Sequence, residues 1–169
     1  MAEAITNMEI NKKSTFQELE RQIEDLESAR EHDYKTLFDN STISIWNEDF
    51  TLVFEELERL RTLNVSNIKK YLKKNPETLS TLLGKLKVNN VNGATLKLFK
   101  AENKEDFFNN IQNTFGKGAS KVFTKLIIAI WKKKKAFISE VNYKTLKGVE
   151  FKALLSVRIP QTLLEQKSV

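Results

Sequence analysis

The sequence predicts an α+β domain, in which helices cover one face of an antiparallel sheet, preceded by a long N-terminal helix. Three observations carry this. First, Val122, Phe123, Leu126, Ile127, Ile130 and Trp131 recur at the spacing of one apolar helical stripe. Second, two long alternating runs follow: Phe137, Val141 and Tyr143 share a face with Ser139, then Phe151, Ala153, Leu155, Val157 and Ile159 share one. Third, Leu146, Lys147 and Gly148 lie between these runs, and Gly148 is free to take positive φ at a tight turn. Such a helix needs a sheet to cover, and the hairpin supplies one.

In chain order, Ala2, Ala4, Thr6 and Met8 alternate near Ile5 and Ile10, which permits a short strand over 4–10. Ser14 then begins a helix, with Gln17 completing a capping box. Phe16, Leu19, Ile23 and Leu26 are spaced three, four and three apart among charged neighbours, the pattern of a short coiled-coil seam. They are the candidate dimerisation residues. The helix carries on through Leu37 and Phe38 to about Asn40. The chain therefore divides into an N-terminal segment and coupling helix over 1–33 and a domain over 34–169.

Within the domain, Ile43 to Trp46 reads as a short first strand. A helical insertion over 49–84 follows, in three pieces. Phe50, Val53, Phe54, Leu57 and Leu60 form the first stripe. Ser66 caps a second piece with Ile68, Tyr71 and Leu72. Asn75 and Pro76 start a third with Leu79, Leu82 and Leu83, which Gly84 ends. Leu86 to Asn90 reads as a strand with Leu86 and Val88 inward. Asn92 caps a helix through Ala94, Leu96, Leu98 and Phe99, and a further short helix holds Phe107, Phe108 and Ile111.

Composition removes several chemistries. There is no cysteine, so neither a disulfide framework nor thiolate catalysis exists here. The lone His32 sits between Glu31 and Asp33 on the entry helix, where a solvated side chain is the plainer reading than a ligand or base. Glu48 with Asp49, and Glu55 with Glu56, fall at helix starts and on outer faces, where the helix dipole and solubility explain them before acid–base catalysis does. The five glycines form no phosphate-binding loop. No catalytic constellation remains, and a non-enzymatic chain is expected. With no apolar run near 18 residues and no signal peptide, a cytoplasmic location is expected.

Several segments together resemble a PAS domain, the sensory box of bacterial and archaeal signalling proteins. They are Leu37-Phe38-Asp39-Asn40-Ser41-Thr42-Ile43-Ser44-Ile45-Trp46, then Val88-Asn89-Asn90-Val91-Asn92-Gly93-Ala94-Thr95-Leu96-Lys97-Leu98-Phe99-Lys100-Ala101, then the helix and hairpin. The likeness runs from about Tyr34 to Pro160. Trp46-Asn47-Glu48-Asp49-Phe50 is similar to the opening of the version with helices inserted after the first strand.

The resemblance implies a five-stranded antiparallel sheet with helices on one face, serving as a sensory or dimerisation module upstream of an output such as a histidine kinase of a two-component system. The family's fifth strand has no clear counterpart, since only Thr162, Leu163 and Leu164 are apolar candidates after Pro160. Ile5 to Lys13 instead resembles the fifth strand and exit of a preceding repeat. An open slot in a sheet invites a foreign strand. A helix from Lys12 to Leu37 spans roughly 39 Å at 1.5 Å per residue, too far for a simple return to its own sheet. Either Ala4 to Ile10 or the C-terminal tail is therefore expected to fill the slot, in a homodimer with strand exchange.

The family's ligand position implies a pocket between sheet and central helix, walled by Trp46, Val88, Phe99, Phe108, Ile127, Ile130, Trp131, Tyr143, Leu155 and Val157. A solid core is the plainer reading of the same residues, since aromatics at helix and strand spacing more often pack than line a pocket. An apolar ligand such as a fatty acid fits that lining, because no Arg or His points obviously inward. No haem is expected without a His near the central helix, nor a photoactive flavin without a Cys. The charge of +6, from 28 Lys and Arg against 22 Asp and Glu, leaves an alternative. Lys132 to Lys135, with Lys69, Lys70, Lys73 and Lys74, would serve a nucleic-acid or anionic-surface binder, although stacking aromatics are not interleaved.

Overall fold

The computed structural model describes residues 2–161, with side chains from Phe16 onward. The chain forms two compact units, Met1–Ser41 and Thr42–Val169.

The first unit is one helix, α1 (Ala2–Asn40). Ala4 to Ile10 lies inside it, so the expected strand over 4–10 is not formed. Ala2, Glu3, Ala4, Met8 and Glu9 are favourable or neutral in a helix, and alternation alone does not make a strand without a neighbour to pair with. Ser14 is consequently an interior residue and not the cap. Farther along, Glu18 accepts hydrogen bonds from Arg21 at 2.9 Å and Gln22 at 3.0 Å. Phe16, Leu19, Ile23 and Leu26 are all more than half exposed. Among the described residues, the seam has no partner within its own unit.

The second unit opens with β1 (Trp46–Asp49), followed by α2 (Thr51–Thr62), α3 (Ile68–Lys74), α4 (Pro76–Lys85) and β2 (Lys87–Val91). Then come α5 (Gly93–Phe99), α6 (Lys104–Asn110), a 3-10 turn (Ile111–Thr114), α7 (Ala119–Trp131), β3 (Ala136–Lys144) and β4 (Glu150–Arg158). The class is α+β. The described strands form two separate antiparallel pairs, β1 with β2 and β3 with β4. A five-stranded sheet is not formed among the described residues, and Thr162 to Leu164 lie outside them.

The first strand starts at Trp46, not at Ile43. Its ladder ends where β2 gives way to Asn92, whose main chain and side chain hold Ile45 instead: the Asn92 N–H donates to Ile45 O at 3.2 Å, and Ile45 N–H donates to Asn92 Oδ1 at 3.1 Å. The ladder therefore shifts toward Asp49, which takes Glu48 and Asp49 out of a helix start and into a strand. The pairing Asn47↔Asn90 then Glu48↔Val88 leaves Asn89 as an extra residue, a bulge. In the insertion, Asn67 and not Ser66 caps α3, accepting from Lys70 N at 3.0 Å. Nor does Gly84 end α4; its φ is not positive, so the helix runs on to Lys85 and β2 begins at Lys87 instead of Leu86. Pro76 starts α4 as expected, where its missing N–H costs nothing.

One hydrophobic core joins these elements. Val53, Leu57 and Leu60 of α2, Leu72 of α3 and Leu82 of α4 meet Val122, Leu126, Ile127 and Ile130 of α7. The insertion thus packs both on itself and on the helix that the hairpin carries. On β3 and β4 the residues of one face are buried or half-buried, from Phe137 to Tyr143 and from Phe151 to Val157, while Glu140, Lys152, Ser156 and Arg158 are exposed. The hairpin closes through Thr145 and Gly148, whose φ is 82°. Thr145 N–H donates to Val149 O at 2.9 Å, and Gly148 N–H donates to Thr145 O at 2.9 Å.

Gly116 has a different constraint. It approaches β3 so closely that a Cβ there would stand 2.6 Å from Asn142 O, the same oxygen that accepts its N–H at 2.9 Å. Gly116→Ala is expected to cost about 2 kcal/mol in urea unfolding, because the segment must retreat from the strand. Unchanged stability would mean that the segment yields freely.

Candidate functional site: an apolar cavity with one carboxyl

A cavity of about 840 Å³ lies within the second unit. On one side it is walled by Ile43, Ser44, Ile45, Trp46 and Glu48, and on the other by every residue from Ala153 to Arg158. Successive strand side chains point to opposite faces, so a cavity that reaches six consecutive β4 residues runs along the edge of that strand. The space is therefore the interval between the two sheets, floored by α7 through Ala119, Ser120, Phe123 and Leu126.

The β1 wall is held by a buried polar knot. Asn92 Oδ1 accepts from Ile45 N at 3.1 Å, Thr95 N at 3.0 Å and Thr95 Oγ1 at 2.9 Å, while its Nδ2 donates to Ile43 O at 2.8 Å. Asn92 and Thr95 are fully buried. A hydroxyl contact of 2.8 Å joins Thr95 to Ser44, and Ser44 Oγ accepts from Trp46 Nε1 at 3.2 Å. One helix cap thus orders the strand entry and the indole ring that faces the cavity.

Trp46 continues into an aromatic cluster. Its ring centroid lies 5.7 Å from Phe99, 5.2 Å from Phe107 and 6.3 Å from Tyr143, and Phe99 in turn contacts Tyr143 and Phe151. These are edge and tilted contacts, the geometry that ring quadrupoles favour.

Of the ten residues expected as pocket walls, Trp46, Val88, Phe99, Phe108, Tyr143, Leu155 and Val157 line this cavity. Ile127, Ile130 and Trp131 do not. Ile127 and Ile130 face the core shared with the insertion, and Trp131 packs under the Arg61 guanidinium, 4.1 Å above its ring centre. Helical spacing puts all of them on one apolar face, but that face is wide enough to meet both the cavity and the inserted helices.

Glu48 is the residue that sequence reasoning missed. It shares the β1 face of Trp46 and is the one acid among the described cavity walls. Glu48 is half-buried, its carboxyl makes no hydrogen bond or ion pair with any described residue, and desolvation alone pushes its pKa up to about 7. Burial also raises the Tyr143 phenol, with the Glu48 charge as a second cause. The lining therefore carries a carboxyl beside its apolar residues. A position two residues from Trp46 signals this face, once the strand is set at Trp46–Asp49. Arg158, at the end of β4, also reaches the cavity, as does Lys87 of β2; both are exposed.

The other candidates do not line the cavity. His32 is exposed on α1, and Lys132 to Lys135, which follow α7, are all exposed. Lys69, Lys70, Lys73 and Lys74 are exposed on α3, which packs against α7. Among the described residues no group of His, Asp and Glu could hold a metal ion, and no helix is long and apolar enough to cross a membrane.

The fold and site define a helical α+β protein with a half-open cavity between two strand pairs. In comparisons with known proteins, no family model, no curated protein and no solved structure matches this chain.

Proposed function

We propose that the chain is a sensory and dimerisation domain that responds to a small molecule in the cavity between β1 and β4, and is not itself an enzyme. The observation that carries this is the cavity: its size is that of a small-molecule site, and its walls are mostly apolar with few polar groups. The ordered likeness to PAS domains supports the same reading, with the two strand pairs as the four strands present and the interval as the place of the family's fifth. The output would be a signalling module such as a histidine kinase. Coupling is a population shift: occupancy favours one arrangement of the wall Ile43–Ile45, which follows α1 directly in the chain, and so biases how α1 pairs with a second copy.

Dimerisation rests on the exposed seam of Phe16, Leu19, Ile23 and Leu26. Native mass spectrometry of the purified chain tests both halves at once, with a dimer and a co-purified small molecule as the expected result. Leu19→Glu combined with Ile23→Glu should convert the dimer to monomer without loss of helix. A monomer without ligand from the parent chain would overturn the proposal. Nucleic-acid binding is the weaker reading, since the exposed aromatics among the described residues are Phe16 and Tyr34, both on α1 and separate in the chain from the lysine clusters.

A further inference from the structure

We infer that the cavity selects a small organic ammonium, a protonated amine on an apolar or aromatic body, with Glu48 as its counter-ion and the surrounding rings as its walls. This rests on the reading of the cavity as a ligand site and specifies the ligand's chemistry.

Three features point to a cation. Glu48 opens on the cavity and lacks any partner among the described residues, so its charge is uncompensated. An unpaired carboxyl in a low-dielectric place is unfavourable for folding, and a ligand that pairs with it regains that loss on binding. The walls next to it are aromatic, with Trp46, Phe99 and Tyr143 in mutual contact and Phe108, Phe115 and Phe123 farther along. Ring faces attract ammonium groups most strongly where water is excluded.

The groups packed around Glu48 do not supply a substitute for the ligand. Tyr143 on β3 is neutral, its phenol raised by burial. Asp49, the next residue on β1, accepts from Thr51 N at 2.8 Å. Lys87 on β2 and Arg158 on β4 are exposed, and neither lowers the Glu48 pKa, whose shift has burial as its cause. An anionic ligand would need those two rim cations and would bring its charge toward Glu48.

The requirement for ionised Glu48 sets a pH signature. A proton competes with the ammonium below about pH 7, where the carboxyl is held neutral. Affinity should rise roughly tenfold per pH unit below that point and level off above it. Ammonium uptake at pH 6 should release a proton.

Isothermal titration of the full chain with phenethylamine, phenethyl alcohol and 3-phenylpropionate, at pH 6 and pH 8, tests this with three probes of similar body and different charge. At pH 8 the amine should bind at least roughly tenfold tighter than the alcohol, and the carboxylate weakest. Glu48→Gln should remove the amine's advantage over the alcohol and its pH dependence. Equal binding of amine and alcohol, or an amine affinity untouched by Glu48→Gln, overturns the ammonium inference and leaves the cavity reading standing. Failure of all three probes to bind overturns both.

Discussion

Asn92→Ala should destabilise the second unit by about 4 kcal/mol, combining a lost helix cap of about 1 kcal/mol with buried groups left unpaired at about 1–3 kcal/mol each. The side chain makes four of the contacts that close the β1 entry, and no water can take them over at a residue with no exposed surface. Ile45 N would lose its side-chain acceptor and Ile43 O its donor, while Thr95 N would keep only the main-chain oxygen of residue 92, at 3.1 Å. Asn92→Asp keeps the acceptor but loses the donor and places a charge in the core, so it should fall between. Urea unfolding gives the comparison, and a cost under about 1 kcal/mol would show that the knot is not what orders the wall. Because Ile43, Ser44, Ile45 and Trp46 form that wall, the variant should also lose affinity for any cavity ligand.

Glu48→Gln should act in the opposite direction and make the protein more stable above neutral pH. The native carboxyl has its pKa raised to about 7, against an ordinary value of 4.5. Below the ordinary value both native and unfolded chains hold the proton, and the stability associated with the raised pKa is fully present. Between the two values the native chain holds a proton that the unfolded chain releases. Stability then falls as pH rises through that window, by a total of about 3 kcal/mol, since each tenfold difference in proton affinity between the native and unfolded chains is worth about 1.4 kcal/mol. Glutamine has no proton to lose, so the gap between variant and parent should open from pH 5 to pH 8. Unfolding midpoints at pH 5, 6.5 and 8 measure it, and a pH-independent gap would mean that Glu48 does not titrate in this window. Occupancy by an ammonium should stabilise the parent at pH 8 and have little effect on the variant.

The two substitutions separate scaffold from function. Asn92 is a polar residue whose every contact serves the fold, and its burial is fully compensated. Glu48 is a polar residue whose burial the described fold does not compensate. Uncompensated burial of an ionisable group in a cavity is where local consistency gives way, as functional sites permit. Neighbouring rings make the same point by contrast: Phe99 and Phe107 are almost wholly buried by packing, whereas Trp46 keeps one side toward the open space.

Periodicity by itself determined the α7 helix, both hairpin strands, the Gly148 turn, the Asn92 cap and the three inserted helices, because each rests on side chains within one element or on turn chemistry between adjacent ones. The seam residues Phe16, Leu19, Ile23 and Leu26 lie exposed on α1, and seven of the ten residues named as walls line the cavity. Tertiary structure decided what depends on partners distant in the chain. Whether Ala4 to Ile10 is strand or helix turns on a neighbour to pair with, and the register of Trp46–Asp49 turns on where Asn92 takes hold of Ile45. The same register carries Glu48 from an apparent helix start onto the cavity face, since strand side chains alternate and the face is set only when the ladder is placed. The division of the α7 stripe between cavity and inserted helices is a matter of which elements arrive to cover it, and no spacing within the helix contains that information.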